Sequence, residues 1–310
     1  MDNSTILIVD EVHEALHKKL KSHNYAIVEL LNSTYTCIYD EIEKYHGLIL
    51  RSCIKVDQKF IDKATKLKFI ARAGAGMDNI DVDYAESKGI QCIHAAEGNA
   101  NAVAEHTLGM LLSILNNFTK SYNEIVNGIW KREQNRGVEL QLKTIGIIGY
   151  GNMGQAFAEK VAQLGARVIV YDKYKSNFST HLIEEVSLEK LKLDSDILSI
   201  HLPLTNETKN LINSDFVNEF SKPIWLINTS RGEILNTNSI IKLIESEKIV
   251  GCALDVLEVE KADKLAKTEW FKPLTAFSNV LLTPHVAGWT FESYKKISHV
   301  LAAKILALKD

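Results

Sequence analysis

Short apolar runs recur along the chain, each closed by glycine or polar residues and followed by apolar positions three and four apart. In the first hundred residues the runs lie at 5–9, 26–30, 47–50, 67–71 and 90–93. Each is short and rich enough in branched residues to be a strand buried on both faces. Helical spacing occupies 11–22, 57–64 and 81–88, the last two opened by Asp57 and Asp81 as N-caps. The alternation resumes with runs at 145–148, 168–171, 197–200, 224–227, 251–254 and 280–282. Helical spacing covers 157–164 and 238–246, and a further helix closes over 188–191. Strands alternating with helices predict an α/β protein built on doubly wound parallel sheets.

Two stretches break the rhythm. Residues 101–118, NAVAEHTLGMLLSILNNF, predict one long helix, apolar nearly all round. Such a helix is a linker buried on several sides or part of a subunit interface. Residues 130–140, WKREQNRGVEL, predict an irregular charged connection, where Trp130 marks either a protein contact or a satellite core. The last helix, 292–308, is expected to return to the first domain. A length of 310 residues suits two domains, expected at 1–98 plus 286–310 and at 99–285.

The segment 144–172, TIGIIGYGNMGQAFAEKVAQLGARVIVYD, is the most informative. Gly149, Gly151 and Gly154 follow a strand and open a helix that ends at Gly165, and a second strand stops at Asp172. Gly149 permits the turn, Gly151 lets a pyrophosphate approach the backbone, and Gly154 lets the helix lie close to the sheet. Asp172, 23 residues beyond Gly149, is placed to accept hydrogen bonds from ribose hydroxyls and to repel the extra phosphate of NADP. Strand, glycines, helix, strand and acid in that order give this motif its confirming context, and NAD is the expected cofactor.

Composition adds exclusions. Thirty-six Lys and Arg against 39 Asp and Glu, with no long single-sign block, give no nucleic-acid or polyanion surface. No apolar stretch reaches membrane-spanning length, and Asp2 and Asp10 bracket the first run, so no signal peptide is expected. Cys37, Cys53, Cys92 and Cys252 are scattered without a C-x-x-C pair, and read as buried, reduced thiols of a cytoplasmic protein. No metal site is expected.

Ligands of open α/β sheets lie beyond the carboxyl ends of the strands. In the first domain that rule selects Arg51-Ser52, the turn 74–78 and the turn 97–99, as a face suited to a small anion. In the second it selects Arg231, Glu260 and His285. Arg231 offers a planar, permanently charged fork for a carboxylate. His285 titrates where a general base or acid works. Glu260 is able to fix the imidazole tautomer and favour its protonated form. Spacing alone does not single out these three from other arginines, acids and histidines.

The motifs GYGNMG with Asp172, HLPLTNETKNLIN, INTSRGEIL, GCALDVLEVE and LLTPHVAG together resemble the D-isomer-specific 2-hydroxyacid dehydrogenase family, over essentially the whole chain. The resemblance implies a flavodoxin-like substrate domain and a Rossmann NAD-binding domain with a cleft between them. It also implies that Arg231 binds and polarises a 2-hydroxy or 2-oxo acid, His285 exchanges its proton and Glu260 supports His285. The family's acid lies five residues after Asp255, which selects Glu260 over Glu258. Cofactor contacts are implied for Tyr150, Asn152 and Met153 in the glycine turn, and for His201, Pro203 and Thr208. Thr229, Ser230, Asp255, Ala287 and Gly288 join them, Asp255 orienting the nicotinamide amide.

LRSCIKV, RAGAGMDNID and EGNANAVAEHT are most like the phosphoglycerate dehydrogenase branch. That likeness places Arg51, Ser52, Ala75, Gly76 and Asn99 on the substrate side, implies a role in serine biosynthesis, and lets Arg132 reach a phosphate across a dimer. A homodimer through the NAD-binding domain is the corresponding expectation. Lys261 stands where the family usually has Pro, and Asn135 where it has Phe. No appended regulatory domain, hence no serine feedback of that kind, is expected after the last helix. The rival readings are a glyoxylate, hydroxypyruvate or D-lactate reductase with the same triad, and a non-enzymatic NAD-sensing corepressor-like protein.

Overall fold

The structure, a computed structural model, describes residues 4–308. The chain divides into two compact units: Met1–Ala100 with Trp289–Asp310, and Asn101–Gly288.

The first unit carries β1 (Thr5–Ile8), β2 (Ala26–Glu29), β3 (Gly47–Leu50), β4 (Phe69–Arg72) and β5 (Gln91–His94). All pair in parallel, in the order β2-β1-β3-β4-β5, the flavodoxin-like order. The unbroken apolar runs are explained by the two cores they feed. Leu7, Leu48, Leu50 and Ile70 face one layer with Ile38 and Phe60. Ile6, Ile8, Ile49, Phe69 and Ala71 face the other, with Ile297, Leu301 and Ile305 from the helix Phe291–Ala307. The final helix therefore belongs to the first unit.

The second unit carries β6 (Thr144–Ile148), β7 (Arg167–Tyr171), β8 (Ile183–Glu185), β9 (Ile197–Ile200), β10 (Ile224–Asn228), β11 (Ile249–Leu254) and β12 (Val280–Leu282). Their order is β12-β11-β10-β9-β6-β7-β8, again all parallel. The chain reverses direction across the sheet between β6 and β9, the Rossmann switch point. Ile148, Ile169, Leu198, Ile200 and Leu226 fill one face. Ile145, Ile147, Val168, Val170 and Ile227 fill the other, against Ala104, Met110, Leu111 and Leu115. No helix among the described residues is long and apolar enough to cross a membrane.

Some expectations need correction. The helix at 101–118 is two: Ala100–Leu115, then Phe118–Val126, separated where Asn117 takes the left-handed conformation (φ 53°). Apolar residues resume at Phe118 directly after the Asn116-Asn117 break, so the helical spacing ran on across it. The segment 188–191 opens a helix rather than closing one, because the Ser187 side chain accepts from Lys190 N–H and caps Leu188–Asp194. Likewise the first helix starts at Glu14, capped by the His13 ring, not at Glu11. Cys37 and Cys53 reach the surface instead of the core, one at the start of the exposed face of Tyr35–Glu41, the other in the turn after β3.

Candidate active site

The glycine turn leaves the end of β6. Gly149 has φ +94°, and a β-carbon there would overlap the backbone of His201; both facts demand glycine. A β-carbon on Gly154 would overlap the carbonyl of Gly149, so the helix Asn152–Gln163 seats against the turn only without one. Gly151 differs. Nothing lies within 4 Å of its would-be β-carbon, and no side chain caps the helix that it begins. Open space in front of an uncapped helix N-terminus suits a pyrophosphate, with Asn152 and Met153 forming the first helical residues.

Asp172 follows β7. Its carboxylate accepts from Tyr150 N–H (2.7 Å) and from the N–H groups of Tyr174 and Lys175 (both 2.9 Å). Burial opposes ionisation, but these hydrogen bonds and the Lys175 charge outweigh it and hold the carboxyl below its usual 3.8. Lys175 Nζ also donates to Tyr150 carbonyl at 2.8 Å. A cavity of about 710 Å³ opens here, lined by Asp172, Lys175, Ser176, Glu185 and Val186 among others. The pieces for a nucleoside are present: a fixed anionic carboxylate, room, and backbone donors.

His201 ends β9 with its ring buried, Nε2 2.8 Å from Ser199 Oγ. Burial pushes its pKa down to about 4, so the ring is a neutral prop beneath the turn and its backbone is what meets Gly149. Thr208 Oγ1 donates to the Pro203 carbonyl (2.6 Å), fixing that loop.

At the end of β10, buried Asn228 ties the next turn together. Its amide donates to Arg231 carbonyl (2.8 Å) and its Oδ1 accepts from Ser230 N–H (3.0 Å). Ser230 Oγ donates to Ile200 carbonyl, and Thr229 Oγ1 lies 3.1 Å from Thr107 Oγ1. Arg231 Nη1 donates to Ser230 carbonyl at 2.6 Å. Behind it, a β-carbon on Gly232 would overlap the backbone of Leu257 and Glu258. That close approach brings the segment after β11 against the Arg231 turn.

On this segment Glu258 accepts from Thr237 N–H (2.8 Å) and is engaged at the start of the helix Thr237–Glu245. Glu260 points elsewhere: its Oε2 lies 2.9 Å from His285 Nδ1, with both side chains 44% exposed. Lys261, in place of Pro, is the N-cap residue of Ala262–Leu265 and leaves that contact in being.

His285 follows β12 and has φ +55°, unusual for a residue with a β-carbon. Its N–H donates to the carbonyl of Asp255 at 2.7 Å. The Asp255 carboxylate, 1% exposed, accepts from Thr283 Oγ1 (2.6 Å), Val286 N–H and Ala287 N–H (both 2.9 Å). Burial disfavours its charge, yet hydrogen bonds from His106, Thr283, Ala287 and Val286 prevail and keep its pKa below 3.8. Arg231, Asp255 and His285 thus leave three neighbouring strands at the same end of one sheet, spaced about 4.8 Å from strand to strand. Gly288 closes this unit.

In the first unit, Asp10 Oδ2 accepts the N–H groups of Arg51, Ser52 and Cys53 (2.6, 3.1 and 3.2 Å) and shapes the turn after β3. The Arg51 guanidinium lies 3.8 Å over the ring of Trp289, an arrangement that holds its planar fork. Ala75 and Gly76 are half-buried in the turn after β4. The buried Oδ1 of Asn99 has no hydrogen-bond partner among the described residues. Asn228 and Thr283, not among the expected site residues, act as braces; the one is the last residue of β10 and the other the first after β12, and a polar residue at the end of an apolar run is the signal they leave.

Asn135 donates to Glu124 and to the Lys131 carbonyl, joining its segment to the helix Phe118–Val126. Arg132 is exposed.

Residues 108–287 match the family profile of the D-isomer specific 2-hydroxyacid dehydrogenase, NAD binding domain. Among curated relatives, a hydroxypyruvate reductase of Thermotoga maritima is 34% identical over 258 residues, spanning 83% of each chain. A D-3-phosphoglycerate dehydrogenase of Synechocystis is also 34% identical, over 270 residues, 86% of this chain but 48% of that one. The chain spans about half the length of the phosphoglycerate dehydrogenases it matches. Among solved structures, a D-lactate dehydrogenase of Aquifex aeolicus complexed with NAD and lactic acid superposes with a TM-score of 0.83 at 25% identity, over 97% of this chain and 94% of that one.

Proposed function

This chain belongs to the D-isomer-specific 2-hydroxyacid dehydrogenase family, and on that premise we propose how its own residues interconvert a D-2-hydroxy acid and its 2-oxo acid. NAD, bound at the glycine turn and Asp172, supplies the hydride acceptor. Arg231 holds the substrate carboxylate by paired hydrogen bonds and polarises the neighbouring carbon–oxygen bond. His285, with Nδ1 turned to Glu260 (2.9 Å), presents Nε2 to the substrate hydroxyl. It takes that proton during oxidation and returns it during reduction. Glu260 stabilises the imidazolium that forms and fixes which nitrogen faces the substrate. The Glu260–His285 contact is the observation that carries this reading.

For the substrate, we infer 3-phosphoglycerate and its 2-oxo product, on the strength of the Arg51-Ser52 turn and the phosphoglycerate dehydrogenases among its relatives. In this reading Arg51, Ser52, Ala75, Gly76 and Asn99 serve the substrate, and the place of the reaction is serine biosynthesis. Hydroxypyruvate or glyoxylate reduction is the second reading, favoured by a relative matched over most of both chains. We also infer a homodimer formed through the second unit. Phe118, Tyr122, Ile125, Val126 and Trp130 are exposed there, and Trp130 is 83% accessible, an apolar face that association would cover.

Following NADH absorbance with 3-phosphohydroxypyruvate, hydroxypyruvate, glyoxylate and pyruvate tests the assignment. Preference for the phosphorylated acid with NADH over NADPH supports it. Preference for an unphosphorylated acid replaces it with the second reading, and turnover of none removes both.

A further inference from the structure

His106 lies within Ala100–Leu115, the helix whose other inward residues are apolar or small. Its Nε2 sits 3.1 Å from Thr283 Oγ1 and 3.5 Å from Asp255 Oδ1. Thr283 in turn donates to that same Oδ1 at 2.6 Å. The carboxylate then collects the N–H groups of Val286 and Ala287, while the backbone carbonyl of Asp255 takes the N–H of His285. Thus one imidazole contacts the pair on which the whole 284–287 turn hangs. His285 occupies a left-handed conformation that costs free energy for a non-glycine residue and persists only where the surroundings impose it.

We propose that His106 is a positioning residue for His285, acting through Thr283 and Asp255. By donating from Nε2 it adds to the support that Thr283, Val286 and Ala287 give the charge of a nearly inaccessible carboxylate. That carboxylate fixes two consecutive N–H groups and so the direction of the catalytic imidazole. Its neighbour Thr107 touches Thr229 in the turn that carries Arg231. Adjacent residues of one helix therefore set both catalytic turns. A leucine at 106 would fill the space without the donor, and a glutamine amide would supply it from nearly the same point.

The inference rests on the dehydrogenase reading for its kinetic effect, so the test pairs kinetics with a readout that needs no turnover. His106→Leu and His106→Gln are compared for kcat and KM, for NADH affinity by fluorescence, and for hydrogen exchange across 284–288. For His106→Leu, a turn displaced by a fraction of an ångström lowers kcat about 10- to 100-fold. NADH affinity falls less than kcat, because the glycine turn and Asp172 are untouched, and exchange at Val286 and Ala287 quickens at least about tenfold. His106→Gln recovers most of both losses. Unchanged exchange and kcat in His106→Leu overturn the proposal, as does a glutamine variant no better than leucine. If the wild type reduces no 2-oxo acid, the dehydrogenase reading fails while exchange still decides the brace. Should His106→Leu not fold, His106→Met, which also lacks the donor, is read the same way.

Discussion

Gly232 offers a test of whether the Glu260–His285 contact depends on packing outside it. A methyl group there would overlap the carbonyl carbon and oxygen of Leu257 and stand 2.5 Å from Glu258 N, where 3.4 Å begins ordinary contact. The obstacle is backbone on both sides, not the end of a flexible side chain. Relief therefore requires the segment after β11 to retreat by more than about 0.9 Å, the shortfall at Glu258 N alone. Two residues further along, Glu260 holds His285 at 2.9 Å, and a displacement of that size carries the contact beyond hydrogen-bonding range. Misplacement of a catalytic group by about 1 Å costs on the order of 100-fold in turnover, and overpacking of this kind costs about 1–3 kcal/mol in stability. Gly232→Ala should therefore reduce kcat some 30- to 100-fold while NADH affinity stays near wild type, because the glycine turn at β6 is untouched. Steady-state kinetics, NADH fluorescence titration and thermal unfolding of the same preparation measure all three. A variant with kcat within about threefold of wild type would show that the Glu260 segment has slack the packing does not suggest.

Other outcomes follow from the same geometry. Gly151→Ala meets nothing within 4 Å, so its unfolding should shift by less than about 0.5 kcal/mol, yet NADH affinity should fall at least about tenfold as the methyl occupies the pyrophosphate's approach. Gly154→Ala, which overlaps the Gly149 carbonyl, should lower stability and affinity together; equal behaviour of the two variants would contradict the distinct roles given to these glycines. His201 has its folded pKa depressed from 6.5 to about 4. The unfolded chain thus binds the proton first, and stability is full above pH 6.5 and lost as pH falls toward 4, by about 3 kcal/mol in all. Urea unfolding across that range should show this slope in the wild type and a reduced one in His201→Gln, and an identical slope would locate the titrating group elsewhere.

How far the chain could be read in advance differs from place to place for physical reasons. The segment from β6 to Asp172 was fully legible, because a buried parallel strand, three glycines and a terminal acid each leave a residue-type signature. Strands β1, β3 and β4 were legible too, since burial on both faces demands unbroken apolar runs; the edge strands β2 and β5, less buried, kept enough apolar residues to show as well. The split at Asn117 was not, because the apolar spacing resumes at Phe118 and a left-handed asparagine has the same letter as a helical one. The short elements Tyr35–Glu41, Ile183–Glu185, Ser214–Asn218, Ala262–Leu265 and Phe271–Thr275 have too few turns or pairs to impose a period. At the site, Arg231, Glu260 and His285 were picked out by resemblance, since no local pattern separates Glu260 from Glu258. What divides those two acids is a tertiary fact, the Thr237 N–H that engages Glu258. His106 looked like part of an apolar helix because its partners, Thr283 and Asp255, are more than 140 residues away.

The central claim is that His285 moves the proton while NAD is held elsewhere in the same unit. His285→Ala, assayed with the best 2-oxo acid of the panel, isolates that step. Loss of kcat by about 100-fold or more with NADH affinity unchanged is the expected result. Turnover at the wild-type rate would remove His285 from the chemistry and contradict the account.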